Sequence, residues 1–256
     1  MRLSCCAYSY RQYLQAGEMT LEEFVDTAAD IGCEGVELTA YYFPSLDRPY
    51  LNALKRYVHR RGLSVSGTAV GSNFAQADAG KRREHVRMTK EWIERSVILG
   101  AATLRVFAGP VAEGSDEQEA FSWVVECLRD CAQKAEEEGV LLALENHGGI
   151  TATADQTLAI HRAVGSDWLG INLDFGNYSG DVLAQFAACA PLAVASHAKV
   201  TFNGESGRER VDYRRAREVM DANGYRGWLA IEYEEPEEPR DAVPAFAAEL
   251  AAVLNS

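Results

Sequence analysis

The chain has 256 residues, 47% apolar and 25% charged, with 21 glycines and 7 prolines dispersed along it; this composition builds a large core and excludes disordered and collagen-like polymers. Its 38 acidic and 25 basic residues leave a formal charge of −13, which repels phosphate backbones and anionic membranes and argues against bulk nucleic-acid binding. No stretch reaches the roughly 18 apolar residues of a membrane span, and the N-terminus around Arg2 and Arg11 lacks the apolar run of a signal peptide, so a cytoplasmic protein is expected.

In chain order, short runs rich in Val, Ile and Leu recur about every 30 residues, each followed by a longer segment with helical spacing of apolar positions. The predicted strands are Leu3–Ser9, Gly35–Thr39, Leu63–Val70, Thr103–Phe107, Val140–Asn146, Leu169–Asp174, Val194–Val200 and Trp228–Tyr233. Helices are predicted over 20–32, 48–61, 81–99, 116–138, 153–164, 180–190, 210–223 and 239–254. Thr20 with Glu23 and Ser115 with Gln118 read as capping boxes, while Gly32, Gly62, Gly100, Gly139, Gly165 and Gly224 mark helix ends before strands. Eight units averaging 32 residues have the length of a βαβ step. The expected fold is α/β, a single (β/α)8 TIM barrel occupying one domain over 1–256, with an open doubly wound sheet as the alternative. The six cysteines form no CxxC pair, and Cys127 and Cys131 share one helical face, so buried thiols are expected rather than a zinc cluster or a disulfide.

Chemistry in such a barrel sits at the C-terminal ends of the strands. Four consecutive strands end in ionisable residues: Glu145-Asn146-His147 on the fifth, Asp174 on the sixth, His197-Ala-Lys199 on the seventh and Glu232-Tyr-Glu234 on the eighth. Glu145, Asp174, His197 and Glu232 are 29, 23 and 35 residues apart, about one unit each, so four ligand-type side chains are expected to converge on one mouth. Three carboxylates so close would repel one another without a cation between them. Three carboxylates and one imidazole suit one divalent metal of intermediate hardness, Mn²⁺ first, with Mg²⁺, Co²⁺ or Zn²⁺ as alternatives.

The chain resembles the xylose isomerase-like barrels, a group that includes ketose 3-epimerases, inosose isomerases and dehydratases. The resemblance runs along the whole chain. It rests on Gly35-Val-Glu37-Leu, Leu144-Glu145-Asn146-His147-Gly148-Gly149, Asp174-Phe-Gly-Asn177, His197-Ala-Lys199 and Gly224-Tyr-Arg-Gly227-Trp-Leu-Ala-Ile-Glu232. It implies a divalent-metal-dependent isomerase or epimerase of a small sugar, keto-sugar or cyclic polyol, with Glu145, Asp174, His197 and Glu232 as metal ligands and Glu145 and Glu232 as the acid/base pair. Many relatives carry a His three residues after the strand-six Asp, where this chain has Asn177. Zinc endonucleases of the same superfamily need several further histidines; His59, His85 and His161 fall within predicted helices, leaving only His147 and His197.

A metal chelated by a carbonyl and its neighbouring hydroxyl acidifies the intervening C–H, and carboxylates on opposite sides of the sugar then remove and return the proton through an enediolate. A lyase or dehydratase of the same fold, of the inosose-dehydrating or 3-keto-glycoside-eliminating type, shares the first half of that reaction and stands as the alternative. Period-2 alternation puts His147 on the side of Glu145 and Lys199 on the side of His197, as substrate contacts; Lys199 either pairs with a developing enolate oxygen or neutralises Glu232. Asn177 and Tyr8 complete the expected substrate-binding set. Tyr8, Tyr10, Tyr41, Tyr42 and Phe43 either stack on a sugar ring or seal the mouth. Glu37 and Arg105 are expected to form a buried ion pair, and Thr201–Arg210 to be a mobile polar loop over the site. The expected partner is a small carbohydrate, with neither nucleic acid nor membrane; assembly into a homo-oligomer stays open.

Overall fold

Alternation along the strands decides which residues face the helices and which face the barrel axis. Leu142 and Leu144, Leu104 and Val106, Ile171 and Leu173, and Leu229 and Ile231 all belong to one continuous apolar core with the inner faces of the helices. Buried residues of the opposite parity, including Cys6, Ala143, Glu145, Asp174, His197 and Ala230, lie outside that core. The apolar core is therefore the annulus between sheet and helices, while the upper barrel interior is polar.

The computed structural model describes residues 1–204 and 207–256. Among them, eight parallel strands close into a barrel: β1 (Arg2–Cys6), β2 (Gly35–Thr39), β3 (Ser64–Ala69), β4 (Thr103–Val106), β5 (Leu141–Glu145), β6 (Leu169–Asp174), β7 (Ala193–Ala198) and β10 (Trp228–Ile231). β1 pairs with both β2 and β10, which completes the ring. Helices α1 (Arg11–Ala16), α2 (Leu21–Asp30), α3 (Arg48–Arg60), α4 (Ala79–Leu99), α5 (Glu117–Glu138), α6 (Ala154–Val164), α7 (Val182–Cys189), α8 (Tyr213–Ala222) and α9 (Pro239–Leu254) surround it. None of the described helices is long and apolar enough to cross a membrane. The expected (β/α)8 barrel is the observed fold, and all six cysteines are free and buried.

The departures from the expected elements have local causes. β1 ends at Cys6 instead of Ser9, and Ala7–Tyr10 form a 3-10 turn. Ser9 turns back to β10: its hydroxyl donates to the Ile231 carbonyl at 2.8 Å and accepts the Tyr233 N–H at 2.9 Å. The short helix α1 follows, unannounced by apolar periodicity, and stops at Gly17 with φ +70°. The Thr20–Glu23 capping box forms as expected. Before α5, however, the cap is Asp116, whose carboxylate accepts the Glu119 N–H at 2.7 Å, so Ser115 with Gln118 is not the box. A box at Thr153 and Gln156 went unread.

The largest departure is at 201–210. Where an irregular loop is expected stand β8 (Thr201–Gly204) and β9 (Gly207–Arg210), an antiparallel pair outside the barrel ladder; Glu205 and Ser206 of the expected loop lie outside the described residues. Ser179 bridges Asn203, and the Gly180 N–H donates to the Asn203 carbonyl at 3.3 Å, which fastens the hairpin to the β6–α7 connection.

Asp116→Ala and Thr20→Ala should each lower stability by about 1 kcal/mol, the usual cost of an N-cap carboxylate or hydroxyl, with Ser115→Ala nearly silent. Urea unfolding midpoints of the three variants check this. A loss at Ser115 equal to that at Asp116 would reverse the cap assignment.

Candidate active site

Each of the four strand-end residues is buried: Glu145, Asp174, His197 and Glu232 are between 0 and 4% exposed. One donor atom from each falls within 4.8 Å of the other three. His197 Nδ1 lies at the centre, 3.5 Å from Glu145 Oε2, 3.7 Å from Asp174 Oδ2 and 3.5 Å from Glu232 Oε2.

Neighbouring groups fix the unused atoms of this set. The Gly176 N–H donates to Asp174 Oδ1 at 2.7 Å, and Asn146 clamps the Asp174 backbone by accepting its N–H at 2.8 Å and donating to its carbonyl at 3.0 Å. Glu145 accepts the Asn177 amide at 3.1 Å on Oε1 and the Asn172 amide at 3.0 Å on Oε2. His197 Nε2 sits 3.0 and 3.1 Å from the two oxygens of Glu37. A proton on Nε2 shared with Glu37 leaves Nδ1 with its lone pair toward the cluster, the arrangement in which a carboxylate orients a ligating imidazole.

Two atoms in the cluster, His197 Nδ1 and Asp174 Oδ2, are buried without a hydrogen-bond partner. Buried polar atoms are rarely left so. Both point into the space among the four donors, so the residues present fit a divalent cation: three oxygens and one nitrogen converge, two of the four without a hydrogen bond.

Surrounding cations offset the buried negative charge. Arg105 Nε is 3.2 Å from Glu145 Oε2, both side chains being almost wholly inaccessible. Lys199 Nζ is 3.2 Å from Glu232, 3.6 Å from Asp174 and 2.5 Å from Glu234. The two outer carboxylates respond in opposite ways. Burial pushes Glu145 up, against Arg105 and His197, with Glu232 and Asp174 reinforcing the rise. Burial works to raise Glu232 also, but His197 and Lys199 outweigh it and hold that carboxyl well below its ordinary range. Lys199 keeps its charge: burial opposes the ammonium, and Asp174, Glu232 and Glu234 overcome it.

The structure brings together most of the expected residues and reassigns some pairings. Glu37 and Arg105 do not form an ion pair: Glu37 takes His197, and Arg105 takes Glu145. Both charges lie on the barrel interior as expected, but Arg105 on β4 meets Glu145 on the adjacent β5, while Glu37 on β2 reaches across the barrel to His197 on β7. Lys199 neutralises Glu232 and also meets Asn177 Oδ1 at 3.3 Å. Gly176 permits this approach, because a Cβ there would lie 2.7 Å from the Lys199 Cβ. His147 is exposed at the rim, its ring 4.3 Å from that of Phe107, which in turn lies 3.9 Å under the Arg105 guanidinium. Tyr8 is half-buried at the end of β1, with Arg11 over its ring at 4.9 Å. Of the other aromatics, Tyr10 and Tyr42 are buried and Phe43 packs on Trp92 at 5.2 Å; Tyr41, half exposed, stays open.

Asn172 and Cys6 were not anticipated. Asn172 stands two residues before Asp174, so the alternation that placed His147 and Lys199 would have placed it too. Cys6, whose Sγ is 3.5 Å from Thr39 Oγ1 and 3.9 Å from Glu232 Oε1, has only its inward parity as a signal; burial and nearby carboxylates keep it a thiol.

The pattern of the xylose isomerase-like TIM barrels matches residues 25–252. The chain matches none of the curated proteins by sequence. Among solved structures, it is similar to a D-psicose 3-epimerase from Clostridium cellulolyticum H10 in complex with D-tagatose, with TM-score 0.81, 18% identity and coverage of 100% of this chain and 97% of that one. The 3-keto-D-glucoside 4-epimerase of E. coli superposes with TM-score 0.76 at 16% identity, covering 100% of both chains. The probable 3-DHS dehydratase of Bacillus anthracis involved in petrobactin synthesis gives 0.77 at 16% identity, covering 100% of this chain and 99% of that one. At such identities the likeness shows the fold. With the pattern matched from 25 to 252, the chain belongs to the xylose isomerase-like TIM-barrel family.

Proposed function

We propose that the protein is a divalent-metal-dependent isomerase or epimerase of a small sugar, keto-sugar or cyclic polyol. The observation that carries this reading is the convergence of Glu145, Asp174, His197 and Glu232 on one space into which two buried polar atoms point unpartnered. The four residues would hold the ion, for which Mn²⁺ is the best match to the donor set, with Mg²⁺, Co²⁺ and Zn²⁺ behind it. When bound, the ion acts as a Lewis acid on a carbonyl and its neighbouring hydroxyl, acidifying the C–H between them.

The chain's own residues handle the proton. Glu145 and Glu232 stand on β5 and at the end of β10, with β6 and β7 between them in the barrel order, so they approach a molecule in the mouth from different sides. One of the two carboxylates takes the proton and the other returns it from the opposite side; the reverse reaction exchanges the roles. The Lys199 ammonium and the Asn177 amide lie beside this pair and orient substrate oxygens, with His147 and Tyr8 at the rim. Similarity to epimerases of psicose and of a keto-glucoside supports the sugar class. The likeness to a probable dehydratase supports keeping elimination as the second reading, since removal of the same proton starts both reactions.

Three measurements test this. Purified protein should carry about one divalent ion per chain, and Asp174→Ala and His197→Ala should each lower that occupancy, since losing one of four ligands weakens the site severely; metal analysis showing full retention in both would remove the site. Glu145→Gln and Glu232→Gln should each cut turnover by about 10²–10⁴-fold, with metal content measured alongside; near-normal turnover in metal-replete variants would move the base to another residue. In D₂O, isomerisation or epimerisation should return a product unchanged in mass apart from deuterium gained beside the carbonyl. Loss of water or of a leaving group would select the elimination reading instead.

A further inference from the structure

Beside the mouth, between the β6–α7 connection and the β8–β9 hairpin, lies a crevice of about 280 Å³. We infer that this crevice is a binding subsite for an uncharged, hydroxylated second ring, so that the substrate is a glycosylated keto-sugar rather than a free or phosphorylated one; the inference rests on the carbohydrate reading above.

The crevice adjoins the cluster through two side chains. Its inner wall is made by Asn177, whose amide donates to Glu145, and by Lys199, whose ammonium touches Glu232. Its outer wall is Thr201, Phe202 and Asn203 of β8 with Arg208 of β9, and Glu234 and Glu235 close one side. A group attached to a sugar held between Glu145 and Glu232 enters here. The volume is near the lower bound of roughly 300 Å³ for small-ligand sites, which accommodates one ring and not an extended chain.

Charge decides what that ring carries. Two cations face the crevice, and both are already paired. Lys199 Nζ meets Glu234 at 2.5 Å, and Arg208 Nη2 meets Glu235 at 2.6 Å. Thr201 is similarly occupied, with its hydroxyl accepting from Arg208 at 3.0 Å and donating to Glu235 at 2.7 Å. Among the described lining residues, two acids against two bases leave no net positive charge, so a phosphate or carboxylate entering would find no free cation there and would meet two carboxylates. Hydroxyl groups fit the same lining. Each can donate to a carboxylate, which has lone pairs left after its ion pair, and accept from an amide such as that of Asn203. Phe202 adds an aromatic side chain, whose face suits the C–H bonds of a sugar ring. The acidic run at 234–235, otherwise a solvated loop, thereby acquires a role as a filter against anions.

Ketoses with free carbonyls test the assignment. Calorimetric titration of the metal-loaded protein with D-fructose, with the glucosyl-fructoses turanose, leucrose and palatinose, and with fructose 1- and 6-phosphates compares one ring, two rings and an anion. At least one disaccharide should bind about tenfold more tightly than D-fructose, and both phosphates more weakly. Asn203→Ala should narrow the disaccharide preference. Glu235→Gln should raise affinity for a fructose phosphate by about fivefold, the scale on which one partly exposed ion pair acts, because it frees Arg208. D-fructose binding as tightly as every disaccharide, or a phosphate binding best to the unaltered protein, overturns the subsite. Absence of binding by D-fructose and disaccharides alike, with metal present, overturns the carbohydrate reading along with it.

Discussion

Four carboxylates, Glu37, Glu145, Asp174 and Glu232, lie buried in the upper barrel within reach of one imidazole. Isolated charges there would cost far more than a domain's net stability, so the surroundings must supply partners. Arg105 answers Glu145, Lys199 answers Glu232 and Asp174, and His197 answers Glu37. Asn172 and Asn177 also donate to the Glu145 carboxylate, and Asn146 holds the Asp174 backbone. Much of the interior of this barrel is an arrangement for keeping negative charge out of water, and its apolar core has moved outward to the helix layer in consequence.

This arrangement also accounts for the polar character of strands that would otherwise carry branched apolar residues inward. Gly67 shows how tightly the interior is fitted. A Cβ there would lie 2.7 Å from Thr103 Oγ1 and 3.5 Å from Glu37 Oε2. Arg105 and Lys199 compensate part of the charge of the four acids, and His197 Nδ1 and Asp174 Oδ2 are left without a hydrogen bond among them.

The sequence made the barrel legible because its period is carried by hydrophobicity: short runs rich in Val, Ile and Leu at regular spacing and glycines at helix ends survive without any tertiary information. Strand-end position likewise exposed Glu145, Asp174, His197 and Glu232. Pairing was not legible. Glu37 and Arg105 were both recognised as interior charges, yet which partner each takes depends on register around the ring, including the shift opposite Val36 and Glu37 where Ser66 of β3 is the extra residue, which is not written in local pattern. The hairpin escaped for a different reason. Thr201–Arg210 is polar and contains two glycines, so it carries no apolar alternation; its strands are specified by backbone pairing and by ion pairs to Glu235 and Glu249. Ser115 lost to Asp116 by a single residue, a difference that a capping motif cannot resolve from composition.

The hairpin joins the barrel ladder nowhere. It is inserted between β7 and α8, held by a bridge to Ser179 and by side-chain contacts, while the Tyr213 hydroxyl donates to the Lys199 carbonyl at 2.7 Å and pins the chain at its root. A segment so attached is modular. It can lengthen, shorten or be exchanged with no strand of the ring shifting register and none of Glu145, Asp174, His197 and Glu232 moving, which makes it an evolvable cassette: descendants of one fold could reshape the rim of the barrel by rewriting ten residues, and leave the buried cluster as inherited.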